Sequence, residues 1–526
     1  MTQGGRGEPG AAPAGPGETR GVYLYRVFTE NPVQVDATEL RASAAEAGDR
    51  LSVESRALVW LAVAAGLFLR FYRIDCQSLW FDELLSATAA GAESLAQLFS
   101  AHLVHHTHPP GYGVLLWGWA RLFGDSEVSL RMSSALAGAA GLLVFWQMMR
   151  RRFAEPVAAV ALVLLALTYP GIHFAQEGRP YAILILLATV ATALWLDMLV
   201  SVDAGTPVGA GPLARFLAVA VLASQAHYYG LALVVFQGLG LLALSAARGV
   251  SVRGPLVVAA LLAASYAPWI GVMAGTARGY SGFEGPGRPG LVWLLTFGAF
   301  LLYNKNLLSA LVAVALFVAP AVAQARLLRE RLVELLRGRE ARGWGLLFLV
   351  VVTTAVPMLV SQHTNILGHR YLVILCPAVY LLAAHWIVAA TPTAAAAVRL
   401  TFGVCALALA VEVPKFYRPH NEQWREAAAH ALAKAGPGDA VVAVTFPELF
   451  RYYFRQAGRP QLPETARPEE LLERLARVKA AGGRSLFVLR ARDPGLEPQV
   501  ESALRRAAAR AEVLELRHAT VYRFDP

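Results

Sequence analysis

Eleven stretches of apolar side chains, each close to the ~20 residues that cross a bilayer core as a helix, run through the chain. They lie at 57–72, 128–149, 155–172, 180–200, 213–230, 231–247, 255–275, 306–325, 344–361, 371–390 and 395–412. No other feature limits the fold so strongly, because a sequence built this way reads as a polytopic helical membrane protein. Composition agrees. Of 526 residues, 56 % are hydrophobic and only 16 % charged, against about a quarter charged in soluble domains. The expected fold is mostly α, with about 11 spans and at most 13. One further apolar piece, 291–303, is too short to span and reads as re-entrant or interfacial.

The net charge of +10 suggests nucleic acid only until its distribution is seen. Arginines cluster in short loops between apolar runs, as topology determinants do, and no nucleic-acid-binding motif is present. The densest cluster is Gln324–Gly345, with six Arg against three Glu, followed by Arg150–Phe153 and the loop around Arg248 and Arg253. Placing all three in the cytoplasm is consistent with eleven alternating spans. Cys76, Cys376 and Cys405 have no metal spacing and are too few for a disulfide framework. Residues 1–50, rich in Gly, Ala, Pro and Glu, read as a disordered tail and not as a signal peptide.

That orientation gathers chemistry on one side. Residues 51–412 form the membrane domain, with a first outer loop at 73–127. The outer segments hold Asp82, Glu83, His102, His105, His106, His108, Glu177, Arg179, His227, His363, His369 and Arg370. Ionisable residues at span ends are candidates for function. From 413 to 526 the composition becomes soluble, and helix signals such as "REAAAHALAKAGPG" alternate with strand signals such as "DAVVAVTF". This reads as a small α/β domain on the outer face, without a phosphate-binding glycine loop.

In "SLWFDELLSATAAG" the acids read as a helix start, with Asp82 as N-cap and Glu83 in the first turn. A capping acid can still face a cleft. There a partly desolvated carboxylate takes a proton from an acceptor hydroxyl, with Asp82 preferred as the base while Glu83 orients it, binds a metal or caps. "HLVHHTHPPGYGVLLW" offers His105, His106 and His108 as weak metal candidates, although their spacing fits no standard zinc motif. Tyr112, Leu115, Trp119 and Leu122 form a stripe that suits a helix lying flat on the membrane. Glu177 and Arg179 suit an ion pair before Pro180, or a fork that holds an anionic head group. Arg370 either snorkels or binds the same anion.

Taken in order, "FDE", "HPPGY", "EGRPYA" and "HRYL" resemble the GT-C superfamily. Within it they are most similar to the bacterial family 39 branch of protein O-mannosyltransferases and the lipid A aminoarabinose transferase. The resemblance covers about 56–410. It implies a polyprenyl-phosphate sugar donor, chemistry on the extracytoplasmic face of the inner (plasma) membrane, and Asp82 with Glu83 as catalytic acids. It further implies substrate contacts from His108, Tyr112, Glu177, Arg179, Tyr181, His369 and Arg370. The implied reaction is a single inverting displacement onto a cell-envelope glycolipid, polysaccharide or protein, with a divalent metal left open as cofactor. A transporter or flippase of a lipid-linked glycan is the alternative. It ranks well below, because transporters usually show inverted repeats and charged or broken spans, whereas this sequence has no internal repeat and few mid-span charges. A sensor built on the C-terminal domain would need far fewer spans.

Overall fold

The computed structural model describes residues 51–105, 108–272, 274–275, 289–303, 341–363, 366–491 and 496–526. The N-terminal tail, the 306–325 run and most of the 324–345 arginine cluster lie outside these residues. The helices of the first part are α1 (Val53–Phe71), α2 (Phe81–Ala90), α3 (Leu95–His105), α4 (Gly111–Phe123), α5 (Glu127–Met149), α6 (Glu155–Leu167) and α7 (Tyr169–His173). They are followed by α8 (Tyr181–Asp203), α9 (Ala210–Ala226), α10 (Tyr228–Ala247), α11 (Arg253–Tyr266), α12 (Leu291–Tyr303), α13 (Ala341–Val360), α14 (Cys376–Ala390) and α15 (Ala394–Phe416).

Among the described residues seven helices are long and apolar enough to cross a membrane, or eight if the bent pair at 155–176 is one span. The protein is therefore multi-pass. Two expected spans fall short of that standard. Helix α1 carries Glu54, Arg56 and Arg70 within its 19 residues, and α9 is 17 residues long. The short piece at 291–303 is a helix whose Phe297, Ala299, Phe300 and Leu301 are buried.

Helix α6 is the centre of the bundle. It is apolar on all sides, and every residue from Pro156 to Leu167 is buried, as a helix surrounded by helices should be. It bends by 58° into α7, where Pro170 cannot continue the ladder. Carbonyls freed at such a break need donors, because hydrocarbon supplies none. Arg70 provides them: its guanidinium donates to Leu165 O and Ala166 O, both at 3.0 Å, and to Gly66 O at 2.8 Å. Beyond the break, the Gln176 side-chain amide donates to Leu69 O and Tyr72 O.

Helix α8 orients the molecule. Arg179 immediately precedes its first turn, while at its other end Asp197 pairs with Arg152 and Asp203 with Arg248. Twenty-three residues at ~1.5 Å each place these ends roughly 34 Å apart. Helices α9 and α10 meet at His227, which lies between them and caps α10.

The C-terminal part contains α16 (Trp424–Lys434), β1 (Ala440–Ala443), α17 (Pro447–Gln456), β2 (Glu464–Thr465), α18 (Leu471–Ala480), β3 (Leu486–Ala491), α19 (Pro498–Ala507), β4 (Arg510–Leu516) and β5 (Ala519–Asp525). The sheet order is β2-β1-β3-β5-β4. β1 pairs parallel with β2 and β3, whereas β5 pairs antiparallel with β3 and β4. The segment "EVLELRHATVYRF" is a hairpin that turns at Arg517–His518, where His518 takes a positive φ.

This sheet does not stand alone. Leu84 and Ala87 of α2 and Leu116 of α4 share one buried cluster with Trp424, Phe450 and Phe454. The Tyr453 hydroxyl accepts the Leu79 N–H at 2.9 Å and bonds Ser78 Oγ and Glu127 Oε1. Arg425 pairs with Glu127, and Arg455 with Asp125.

Candidate active site

Helix α2 begins at Phe81 with Trp80 as its N-cap, so Asp82 lies in the first turn and is not the N-cap. The two acids point apart, as neighbours on a helix must, and their surroundings differ. Glu83 is 1 % exposed. Its Oε1 accepts from Arg131 Nε at 2.8 Å and Gly178 N at 2.7 Å, and its Oε2 accepts from Arg131 Nη2 at 2.7 Å and Trp80 N at 3.3 Å. The remaining Arg131 donors reach Ile74 O, Gln77 O and Ser78 O. Both carboxylate oxygens are occupied, so the geometry places Glu83 as a structural tie between the first loop, α5 and the Glu177–Arg179 turn.

Asp82 faces two cations. Its Oδ2 lies 3.3 Å from Arg370 Nη2 and 3.9 Å from Arg179 Nη2. Arg179 is buried and held in place, donating from Nη1 to Asp82 O and Ser86 Oγ, both at 3.0 Å. Arg370 is the more open, at 37 % side-chain exposure. Its guanidinium lies over the rings of Trp80, at 5.0 Å, and Tyr371, at 5.3 Å. Two guanidiniums converge here, one of them partly open, and forked donors of this kind suit an anionic ligand.

The other expected residues divide. Tyr181 is fully buried, with its ring 5.9 Å from that of His227. The His108 ring lies 4.5 Å from that of His227, tilted against it. Tyr112 is buried in the cluster under α2, whereas Leu115, Leu122 and Phe123 of its helix are exposed, so the expected stripe is buried at its start and exposed towards its end. Glu177 pairs with His173 at 2.9 Å and does not form the expected bridge to Arg179. Burial opposes its charge, but His173, with Arg370 and Arg179 nearby, outweighs that and holds the carboxyl below its usual range. His369 turns away, stacking on Trp293 at 4.5 Å. Of the metal candidates, His106 and the His105 side chain lie outside the described residues. Among the described residues no three His, Cys, Asp or Glu side chains are grouped to hold a metal ion.

Four neighbours of these acids and cations were not singled out in the sequence: Trp80, Ser86, Arg131 and Tyr371. Arg131 alone had a signal, as an arginine inside an apolar run.

The helical bundle, with its first-loop acid, basic site and packed C-terminal sheet, shares its overall fold with solved structures. Residues 107–271, less than half of the chain, match the family model of dolichyl-phosphate-mannose-protein mannosyltransferase. The particular likeness is to ArnT from Cupriavidus metallidurans bound to undecaprenyl phosphate. Its TM-score is 0.51 at 15 % identity, covering 88 % of this chain and 97 % of that one. The same protein in the apo state gives 0.51 at 14 % identity, over 89 % and 98 %. No curated protein matches the sequence. The family model and the shared fold together support the GT-C resemblance drawn from the motifs.

Proposed function

We propose that this protein is an integral-membrane glycosyltransferase that moves a sugar from a polyprenyl-phosphate donor to a hydroxyl of a cell-envelope glycolipid, polysaccharide or protein. The observation that carries this reading is Asp82, a partly exposed carboxylate flanked by Arg370 and Arg179 at one end of the bundle. Asp82 takes the proton of the acceptor hydroxyl, whose oxygen attacks the anomeric carbon. The bond to the phosphate oxygen breaks, polyprenyl phosphate leaves, and the anomeric configuration inverts. Charge builds on the departing phosphate, and fixed cations placed there lower the barrier. Arg370 is the cation with room to turn from Asp82 toward an incoming phosphate.

Arg152 and Arg248 mark the opposite end of α8. By the positive-inside rule this supports a reading in which Asp82 and the C-terminal sheet lie on the extracytoplasmic face of the plasma membrane. In membrane vesicles supplied with polyprenyl-phosphate sugar, Asp82→Asn is expected to lower transfer at least ~100-fold, the scale of lost general-base catalysis. Transfer at the wild-type rate would refute the mechanism.

A further inference from the structure

His227 is not used by the mechanism above, and its setting is unusual. It is 1 % exposed and has extended backbone between α9 and α10. Its Nδ1 accepts the Tyr229 N–H at 3.1 Å, which caps α10. An acceptor Nδ1 fixes the tautomer and leaves the proton on Nε2. That Nε2–H is buried and has no partner among the described residues. The Tyr181 hydroxyl and Arg179 Nε are likewise buried without a partner there. These groups surround the guanidinium site. The His227 ring lies 5.4 Å from Tyr371 and 5.9 Å from Tyr181, and Tyr371 supports Arg370. Buried donors without acceptors are costly unless something supplies oxygen.

Resting on the function proposed above, we infer that His227 is a locked, neutral hydrogen-bond donor to the phosphate oxygens of the lipid-linked substrate, with the Tyr181 hydroxyl as a second donor. The two guanidiniums supply charge, while the imidazole and phenol supply direction, so the phosphate is held in a set orientation beside Asp82. A second helix end, rather than another cation, completes this receptor.

His227→Asn separates the two roles of the residue, because an Asn side-chain oxygen can still accept the Tyr229 N–H while the Nε2 donor is gone. Binding of undecaprenyl phosphate to the purified full chain in detergent is expected to weaken roughly 10-fold or more. Binding of undecaprenol, which lacks the phosphate, should be unchanged. Tyr181→Phe, which removes only a hydroxyl, is expected to act in the same direction and serves if His227→Asn fails to fold. Wild-type affinity for undecaprenyl phosphate in folded His227→Asn, or an equal loss for undecaprenol, overturns the inference. Because the measurement is binding and not turnover, it stays separate from the Asp82→Asn result. An active Asp82→Asn removes the catalytic reading alone, and an unaltered His227→Asn removes this inference alone.

Discussion

Asp82 and Glu83 are adjacent, chemically alike and opposite in consequence. Glu83→Gln leaves Arg131 buried at 2 % exposure without its counter-charge. Breaking a buried pair in this way costs about 3–5 kcal/mol, so the expected result is a marked fall in thermal midpoint. Asp82 is partly exposed, and Asp82→Asn is expected to keep the midpoint while transfer is lost; thermal shift beside the vesicle assay reads the contrast. His227 adds a pH dependence. Burial, with Arg179 and Arg370 nearby, holds its imidazole down at about 3 against an ordinary 6.5. Between those values the unfolded chain binds a proton that the folded chain refuses, so stability falls as pH drops. Glu177, held low, acts in the same sense: its contribution is lost as pH falls through the folded value. Between pH 7 and pH 5 the His227 share is about 2 kcal/mol. The thermal midpoint should fall over that window and fall less in His227→Asn. The acids and Arg179 were legible as motif residues, but their division of labour was not. It depends on Arg131, 48 positions away inside a run that reads as an ordinary span.

At the level of elements, the break between α6 and α7 tolerates little added bulk. A Cβ on Gly171 would stand 2.2 Å from Leu165 O and 2.8 Å from Arg70 Nη2. Backbone cannot yield cheaply, so Gly171→Ala is expected to destabilise by at least ~1–3 kcal/mol; thermal unfolding in detergent checks it. Apolar periodicity gave most helices correctly, because length and hydropathy are local properties. It failed where long-range contacts decide. The proline break in 155–172 reads as continuous, His227 cuts an apolar stretch expected to run to 230, and the Arg517–His518 turn carries none of the usual glycine or asparagine turn signals. Helix α17, "PELFRYYFRQ", was not expected at all, although it carries Tyr453 into the first loop.

For the whole molecule, the shared cluster beneath α2 joins regions that composition had separated into membrane and soluble parts. Deleting 417–526 would expose Leu84, Ala87 and Leu116 and leave the Leu79 N–H and Glu127 without Tyr453. The expected product inserts in the membrane but neither transfers sugar nor stays monodisperse on size exclusion. A monodisperse, active truncation would show the docking to be dispensable. The same contact sets a schedule for biosynthesis. The Phe81 N–H donates to Glu422, 341 positions later. A ribosome working at ~5–20 residues per second needs roughly 20–70 s to cover that interval. Every newly made copy therefore passes through an interval in which its spans are threaded and its acid is in place, but the surface that steadies the acid has not yet been synthesised.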